Sequence, residues 1–331
     1  MIISRTPLRA SFAGGGSDLA SYYSTGFGAV VSAAINKYIY ITVNKKFDDL
    51  IRVSYSKTEM VDHIDKVEHN IIREALKVVG IEKGVEVVYM GDIPLGSAGI
   101  GLGSSSSLAV GVLNALYAYK GVHVSAAKLA REACKIEIDI LKNPIGKQDQ
   151  YAVAYGGLSY IQFNKDETVF VDPIIYKRDT RELLNSKLML FYTGISRVSS
   201  DILEEQDKNA SSNIDYLNQI VGLAKDLRCC LINNDLSRFG EILHEGWLIK
   251  TKLAKGVTTD QINEYYQKAR EAGALGGKIL GAGAGGFLLL YCEECKQDEV
   301  RAVLSDLKES PFMFEPQGSK IIYVGDQHDA L

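Results

Sequence analysis

The sequence predicts an α+β fold in two domains, and three observations support this. Its 331 residues are more than one hydrophobic core usually organises. Segments with strand-like and with helix-like apolar spacing occur in both halves of the chain. A charged stretch, 177–185, lies just before a buried-type strand at 187–193, which sets a boundary near residue 180 and domains at 1–180 and 181–331.

The elements follow in order. Residues 5–13 are extended, closed by a tight turn at 14–18 and a short helix at 19–23. Alternating apolar positions make strands of 29–43, with 48–56 as a hairpin partner. Residues 70–79 read as a helix with Ile71, Ala75 and Val78 on one face, 85–90 as a strand, and 104–119 as a helix with Leu108, Val112, Leu116 and Tyr119 at helical spacing. Ser125 caps a helix running to residue 141, which Asn143-Pro144 stops. Residues 145–157 are a polar, glycine-bearing connection, and 158–163 with 168–171 form a hairpin. Helices near 199–210, 213–233, 235–252 and 259–272 fill the second half, before a pair of strands, 287–291 and 320–324, that flank a helix near 296–308.

Composition excludes several classes. Hydrophobic residues at 46% and charged residues at 24% suit a soluble globular protein, and a net charge of -4 exerts no general pull on nucleic acid or membrane. No apolar run approaches the roughly 20 residues of a membrane span, and the N-terminus lacks the apolar core of a signal peptide. Five scattered cysteines argue against a disulfide framework and for a reducing, cytoplasmic setting. Cys292-Glu-Glu-Cys295 is a lone pair that fits a turn after a strand better than a zinc site.

The stretch Pro94-Leu-Gly-Ser-Ala-Gly-Ile-Gly-Leu-Gly-Ser-Ser-Ser-Ser107 has the strongest chemical signature. Its glycines leave backbone N–H groups bare, and it joins a strand directly to an apolar helix, which a flexible linker rarely does. The serines can cap that helix, and its positive dipole end is an anion site. Gly99, Gly101, Leu102, Gly103, Ser104, Ser105 and Ser106 are therefore expected to cradle a polyphosphate. This is not a Walker A loop, because Gly103 is followed by serines rather than by Lys-Ser/Thr. A Mg²⁺ ion there needs a hydroxyl, for which Ser105 is chosen, and a carboxylate from Glu132, Glu137 or Asp139. The last two cannot share a helix face.

Asp149 is either an N-cap of a short following helix or the carboxylate that accepts the acceptor's proton, kept ionised by Arg9 or Lys147. The turn Gly14-Gly-Gly-Ser-Asp18 places an acid where it can bind two sugar hydroxyls, with Gly16 and Ser17 beside it. Lys278-Ile-Leu-Gly-Ala-Gly-Ala-Gly-Gly286 contains a formal GxGxxG, but a strand follows it where a dinucleotide site needs a helix. A glycine loop bringing backbone, Gly283 included, close to a ligand or to the other domain is the better reading.

Taken together, Thr6-Pro-Leu-Arg9 with 14–18, the Gly-Leu-Gly-Ser-Ser core of 94–107 and the segment 278–287 resemble the GHMP kinase family across nearly the whole chain. The resemblance implies an N-terminal domain like the second domain of ribosomal protein S5, a ferredoxin-like C-terminal domain, and ATP and acceptor between them. It implies Ser105 and Glu137 as Mg²⁺ ligands, Asp149 as base, Arg9 as its basic partner and Asp18 as the sugar-binding acid. The wording Gly-Gly-Gly-Ser-Asp, Gly-Lys-Gln-Asp-Gln-Tyr and His244-Glu-Gly-Trp-Leu-Ile-Lys250 is most like the branch that phosphorylates an anomeric hydroxyl. The expected acceptor is a heptose 7-phosphate; fucose, galactose and mevalonate are alternatives. A distal phosphate would need a cation from Lys147, Arg197, Lys250 or Lys252, of which the last two cannot point the same way. Intact Asp149, Glu137, Ser105 and Arg9 argue against a non-catalytic binding protein. The resemblance leaves a homodimer possible and calls for no nucleic acid or membrane partner.

Overall fold

The computed structural model describes residues 1–93, 101–195 and 199–325. Strands β1 (Ile2–Ala13) and β2 (Phe27–Lys45) form the spine, joined by the turn at 14–18 and the short helix α1 (Ala20–Tyr23). They pair antiparallel from Ile2↔Val43 to Ala13↔Val31, with bulges at Pro7/Leu8 and Ser11/Ala13. Pro7 cannot donate to a ladder, so a bulge beside it is where a strand tolerates it.

The hairpin β3 (Ile51–Ser54) and β4 (Thr58–Val61) leads to α2 (Asn70–Val79), ended by Gly80 in the left-handed region, and to β5 (Val85–Gly91). Helix α3 (Ser104–Tyr119) is apolar on nearly every side and buried from Ser106 to Tyr117, lying on β1 and β2. It approaches closely because Gly111 leaves room for Thr6, and hydroxyls pin it: Ser4 Oγ donates to Gly111 O and Ser107 Oγ to Pro7 O, both at 2.8 Å. Helix α4 (Ala126–Cys134) is capped by Ser125, whose Oγ accepts from Lys128 N. The expected helix to 141 does not continue in α form, since Lys135–Ile140 widens into a π-helix. The connection expected at 145–157 is largely helical, as α5 (Gln148–Tyr155).

Strands β6 (Leu158–Asn164) and β7 (Val169–Pro173) form the expected hairpin. Strand β2 is long enough to pair with β6 along 27–33 and with β5 along 39–45. The charged stretch is a helix, α6 (Arg178–Lys187), running into β8 (Leu188–Tyr192). Helices α7 (Ser199–Lys208), α8 (Ile214–Ile232), α9 (Phe239–Lys250) and α10 (Asp260–Glu271) follow. They lead to β9 (Ala274–Ile279), β10 (Phe287–Cys292), α11 (Gln297–Val303), β11 (Lys308–Glu309) and β12 (Lys320–Val324). The second sheet runs β11-β8-β10-β9, all antiparallel. The last strand is not part of it: β12 pairs with β1 at the edge of the eight-stranded first sheet. No helix among the described residues is long and apolar enough to cross a membrane.

Candidate active site

A cleft of about 1070 Å³ opens between the glycine turn after β1, the start of α3, and the ends of α9 and β9. At its centre Arg9 and Asp149 form a bidentate pair, with Nε to Oδ1 at 2.7 Å and Nη2 to Oδ2 at 2.6 Å. The Arg9 Nη1 donates to Gly101 O at 2.6 Å, and the Arg9 backbone N–H donates to Leu102 O at 3.0 Å, so strand β1 holds the glycine loop directly. Gly103, at φ +73°, closes this arrangement: a methyl added there would lie 3.1 Å from Arg9 Cγ and 3.3 Å from Asp149 Oδ2. Asp149 sits in the first turn of α5, where Lys147 is the N-cap, so it is free of the capping role. Each of its oxygens keeps a lone-pair direction beyond the bond to Arg9.

The serines divide their work differently from the capping expected of them. Gly103 is the N-cap of α3, and no side chain among the described residues caps that helix. Ser106 Oγ donates to Glu137 Oε2 at 2.8 Å, Ser105 is exposed to the cleft, and Ser104 Oγ lies buried with no partner among the described residues. The π-helix turns Glu137 inward to 0% exposure, where Gln150 Nε2 also reaches Oε2 at 2.7 Å. Burial pushes the Glu137 carboxyl up to about 7, against the lowering effect of Ser106, Ser105 and Gln150. Its rivals are placed elsewhere: Glu132 accepts from Tyr117 OH, and Asp139 is exposed. Glu137 Oε1 has no hydrogen-bond partner among the described residues. A buried, unpartnered carboxylate oxygen beside an exposed serine hydroxyl at a helix N-terminus is an oxygen donor set that fits Mg²⁺.

Asp18 lies across the cleft. Its Oδ1 accepts from Gly16 N and from Gln148 Nε2, both at 3.0 Å, and Oδ2 accepts from Gln148 N at 3.3 Å. Burial and then the charge of Asp149 push its carboxyl above the usual range, against those N–H bonds. Three polar atoms near it, Ser11 Oγ, Gln148 Oε1 and Gln206 Nε2, are buried without partners among the described residues and belong to residues lining the cleft. Such a set of donors and acceptors suits a ligand with many hydroxyls. At the other end Tyr55, His69 and Tyr89 make an aromatic wall beside Asn70, with the Tyr55 and His69 rings edge-on at 4.8 Å.

Several expected contacts fall elsewhere. The Ser17 hydroxyl is consumed internally, donating to Gly14 O at 2.7 Å and accepting from Ala29 N at 3.0 Å. Lys147 turns away, to Glu167 and over the Tyr23 ring at 4.9 Å, so among the described residues Arg9 alone pairs with Asp149. Gly283 packs on Val257 rather than lining the cleft, where Gly281 and Ala282 represent its loop. Gly99 and Arg197 lie outside the described residues. Lys250 lines the cleft while Lys252 lies over the Tyr216 ring at 5.5 Å, as their spacing requires. Lys278, Gln148, Gln150 and Gln206 are additional polar residues at or beside the site. Their only sequence signal is position: two flank Asp149, and Lys278 opens a glycine loop.

Comparison with known proteins identifies the family. The GHMP kinases N terminal domain matches residues 62–157, and the GHMP kinases C terminal domain matches residues 224–309. A D-glycero-alpha-D-manno-heptose 7-phosphate kinase of Campylobacter jejuni is 30% identical over 314 residues, covering 89% of this chain and 91% of that one. A galactokinase of Pyrococcus furiosus is 25% identical over 313 residues, with 82% and 84% covered. The crystal structure of a D-glycero-D-manno-heptose 1-phosphate kinase from Bacteroides thetaiotaomicron superposes with a TM-score of 0.80 at 28% identity, covering 98% of this chain and all of that one. The chain belongs to the GHMP kinase family, as an ATP-dependent sugar kinase.

Proposed function

We propose that this kinase transfers the γ-phosphoryl group of ATP to the anomeric hydroxyl of a sugar that already carries a phosphate, a heptose 7-phosphate. The observation that carries the reading is the Arg9–Asp149 pair, set between the bare backbone at Gly101–Gly103 and the hydroxyl-binding corner at Asp18. The aromatic wall at Tyr55 and Tyr89 takes the base of the nucleotide, and the start of α3 takes its phosphates. Glu137 and Ser105 would hold Mg²⁺, which when bound would neutralise phosphate charge.

Asp18 and Gln148 orient the sugar ring so that one hydroxyl faces Asp149. Asp149 takes the proton from that hydroxyl as the oxygen attacks phosphorus, and Arg9 both fixes the carboxylate and offsets charge on the phosphoryl group in transit. We assign the nucleotide side to residues 1–180 and the remaining wall to 181–331, with β12 returned to the first sheet. The two heptose-phosphate kinases among the relatives favour the phosphorylated acceptor over galactose.

The test is ADP release across a panel of free sugars and sugar phosphates, with the product's phosphate located by proton–phosphorus NMR. The reading expects a heptose 7-phosphate to give the highest kcat/KM and a new phosphorus coupling to the anomeric proton. A better neutral sugar, or phosphate on another carbon, would overturn it.

A further inference from the structure

Two ammonium groups stand in the cleft wall without an ion-paired carboxylate among the described residues, although Asp18 acts on both and Asp149 on Lys250 from across the cleft. Lys250, at the end of α9, and Lys278, on β9, are each 6% exposed. Lys250 Nζ donates to Gly281 O, and Lys278 Nζ donates to Phe12 O at 3.3 Å. Each ammonium has three donors, so one carbonyl leaves most of them unused. Among the described residues no acid lies within ion-pair distance of either. The two acids facing the same space are already engaged, Asp149 by Arg9 and Asp18 by Gly16 and Gln148.

Their position is equally specific. Gly281 packs on Gly101, where an added methyl would meet Gly101 Cα at 2.6 Å, and Gly101 O is the acceptor for Arg9 Nη1. Lys250 thus stands at the seam of the two glycine loops beside Arg9, with Lys278 close by against the end of β1. Burying unpaired charge is costly, and a chain that keeps two such groups side by side in a solvent-accessible cleft is matched to an anion that arrives with the ligand.

We propose that Lys250 and Lys278 together form a phosphate-dianion site, contributed by the second half of the chain to the reaction centre. This rests on the sugar kinase reading above. Two sources carry that chemistry here, the phosphoryl group in transit and the phosphate already on the acceptor. In support, burial and then Arg9 lower the Lys250 ammonium to about 8 against the raising effect of Asp18 and Asp149, and burial, Lys250 and Arg9 push that of Lys278 well below its ordinary value against Asp18. A bound dianion reverses both effects and draws protons onto the pair.

The test pairs Lys250→Met and Lys278→Met with the wild-type enzyme. Melting curves establish that the variants fold, and steady-state kinetics follow with a heptose 7-phosphate and with the same heptose lacking phosphate. If the site holds the acceptor's phosphate, KM for the phosphorylated sugar rises about 10–100-fold and the unphosphorylated sugar is unaffected. If it holds the group in transit, kcat falls by a similar factor with both sugars. Either pattern supports the site, and folded variants with both parameters near wild type overturn it.

The binding arm needs no turnover. Calorimetry at pH 9, in buffers of different ionisation enthalpy, measures protons taken up on binding the sugar phosphate or a non-hydrolysable Mg-ATP analogue. Uptake with one of the two supports the site and names the source, and affinities for both that are unchanged in Lys250→Met and Lys278→Met overturn it. If no sugar is phosphorylated by the wild-type enzyme, the kinase reading fails, and the affinity for inorganic phosphate, lost or kept in the two variants, still decides whether the lysine pair is an anion site.

Discussion

The two walls of the cleft differ in how their charged groups are held. On the first wall, from β1, the start of α3 and α5, Arg9 is paired with Asp149 and Asp18 accepts from Gly16 and Gln148, while the unpartnered atoms there, Ser11 Oγ, Ser104 Oγ and Gln148 Oε1, are neutral. On the second wall, from α7, α9 and β9, Gln206, Lys250 and Lys278 leave donors unused. A pre-paired wall holds its geometry without ligand and can position a proton acceptor. An under-paired wall binds only when ligand supplies the missing partners, which couples it to occupancy. The first wall should therefore govern the proton transfer, and the second the binding of the groups that arrive with the ligand.

The sharpest way to break that division is Asp149→Asn. It keeps the shape and removes the proton acceptor, so kcat should fall about 10²–10⁴-fold with KM for ATP little changed. A variant retaining most of its kcat would show that positioning alone carries the reaction.

Glu137→Gln should come next, raising the Mg²⁺ concentration needed for half-maximal turnover by about 10-fold or more. The same variant has a readout independent of catalysis. The folded carboxyl titrates at about 7, against 4.5 for the ordinary group. Between those values the folded protein holds a proton that the unfolded chain does not, so Glu137 contributes stability that is complete below about 4.5 and is lost as pH rises through about 7. The slope reaches about 1.4 kcal/mol per pH unit. Urea unfolding at pH 5 and pH 7.5 should show that loss in the wild type and not in the variant; equal slopes would place the Glu137 proton elsewhere.

On the second wall, Gln206→Leu keeps the volume and removes the unpartnered amide. It should raise KM for the sugar about 3–10-fold and leave kcat near wild type. A fall in kcat with unchanged KM would assign Gln206 to the first wall's work and break the comparison.

The same contrast explains what the sequence makes legible. Helices α2 and α3 and strand β5 follow from apolar spacing, because each packs one continuous segment. Arg9, Asp18, Gly101, Gly103, Ser105 and Asp149 all line the cleft and all lie in contiguous motifs, where neighbours in sequence are neighbours in space. The π-helix at Lys135–Ile140 is invisible to 3.6-residue spacing, yet it is what turns Glu137 in and leaves Asp139 out. The serines look like caps but are drawn off by Glu137 and Pro7, which are 31 and 100 residues away. Lys147 sits two residues from Asp149 and still belongs to Glu167, because the first turn of α5 directs the two side chains apart. The strand β12 reads as a partner for its neighbours in sequence, whereas the free edge of β1 claims it. Lys250 and Lys278 are 28 residues apart in sequence, and only the fold brings them together beside Arg9.

The central claim is that Arg9 and Asp149 act as one unit, and a double-mutant cycle on kcat tests it most directly. Arg9→Ala exposes the phosphoryl charge and releases Asp149 from its bidentate hold, so much of its effect should run through the partner. With Arg9→Ala, Asp149→Asn and the double variant compared on the same acceptor, the pair predicts strong non-additivity, the double variant being little slower than the worse single one. Losses that simply multiply would contradict it, and would mean that the two side chains serve the reaction independently despite the 2.6 Å and 2.7 Å bonds that join them.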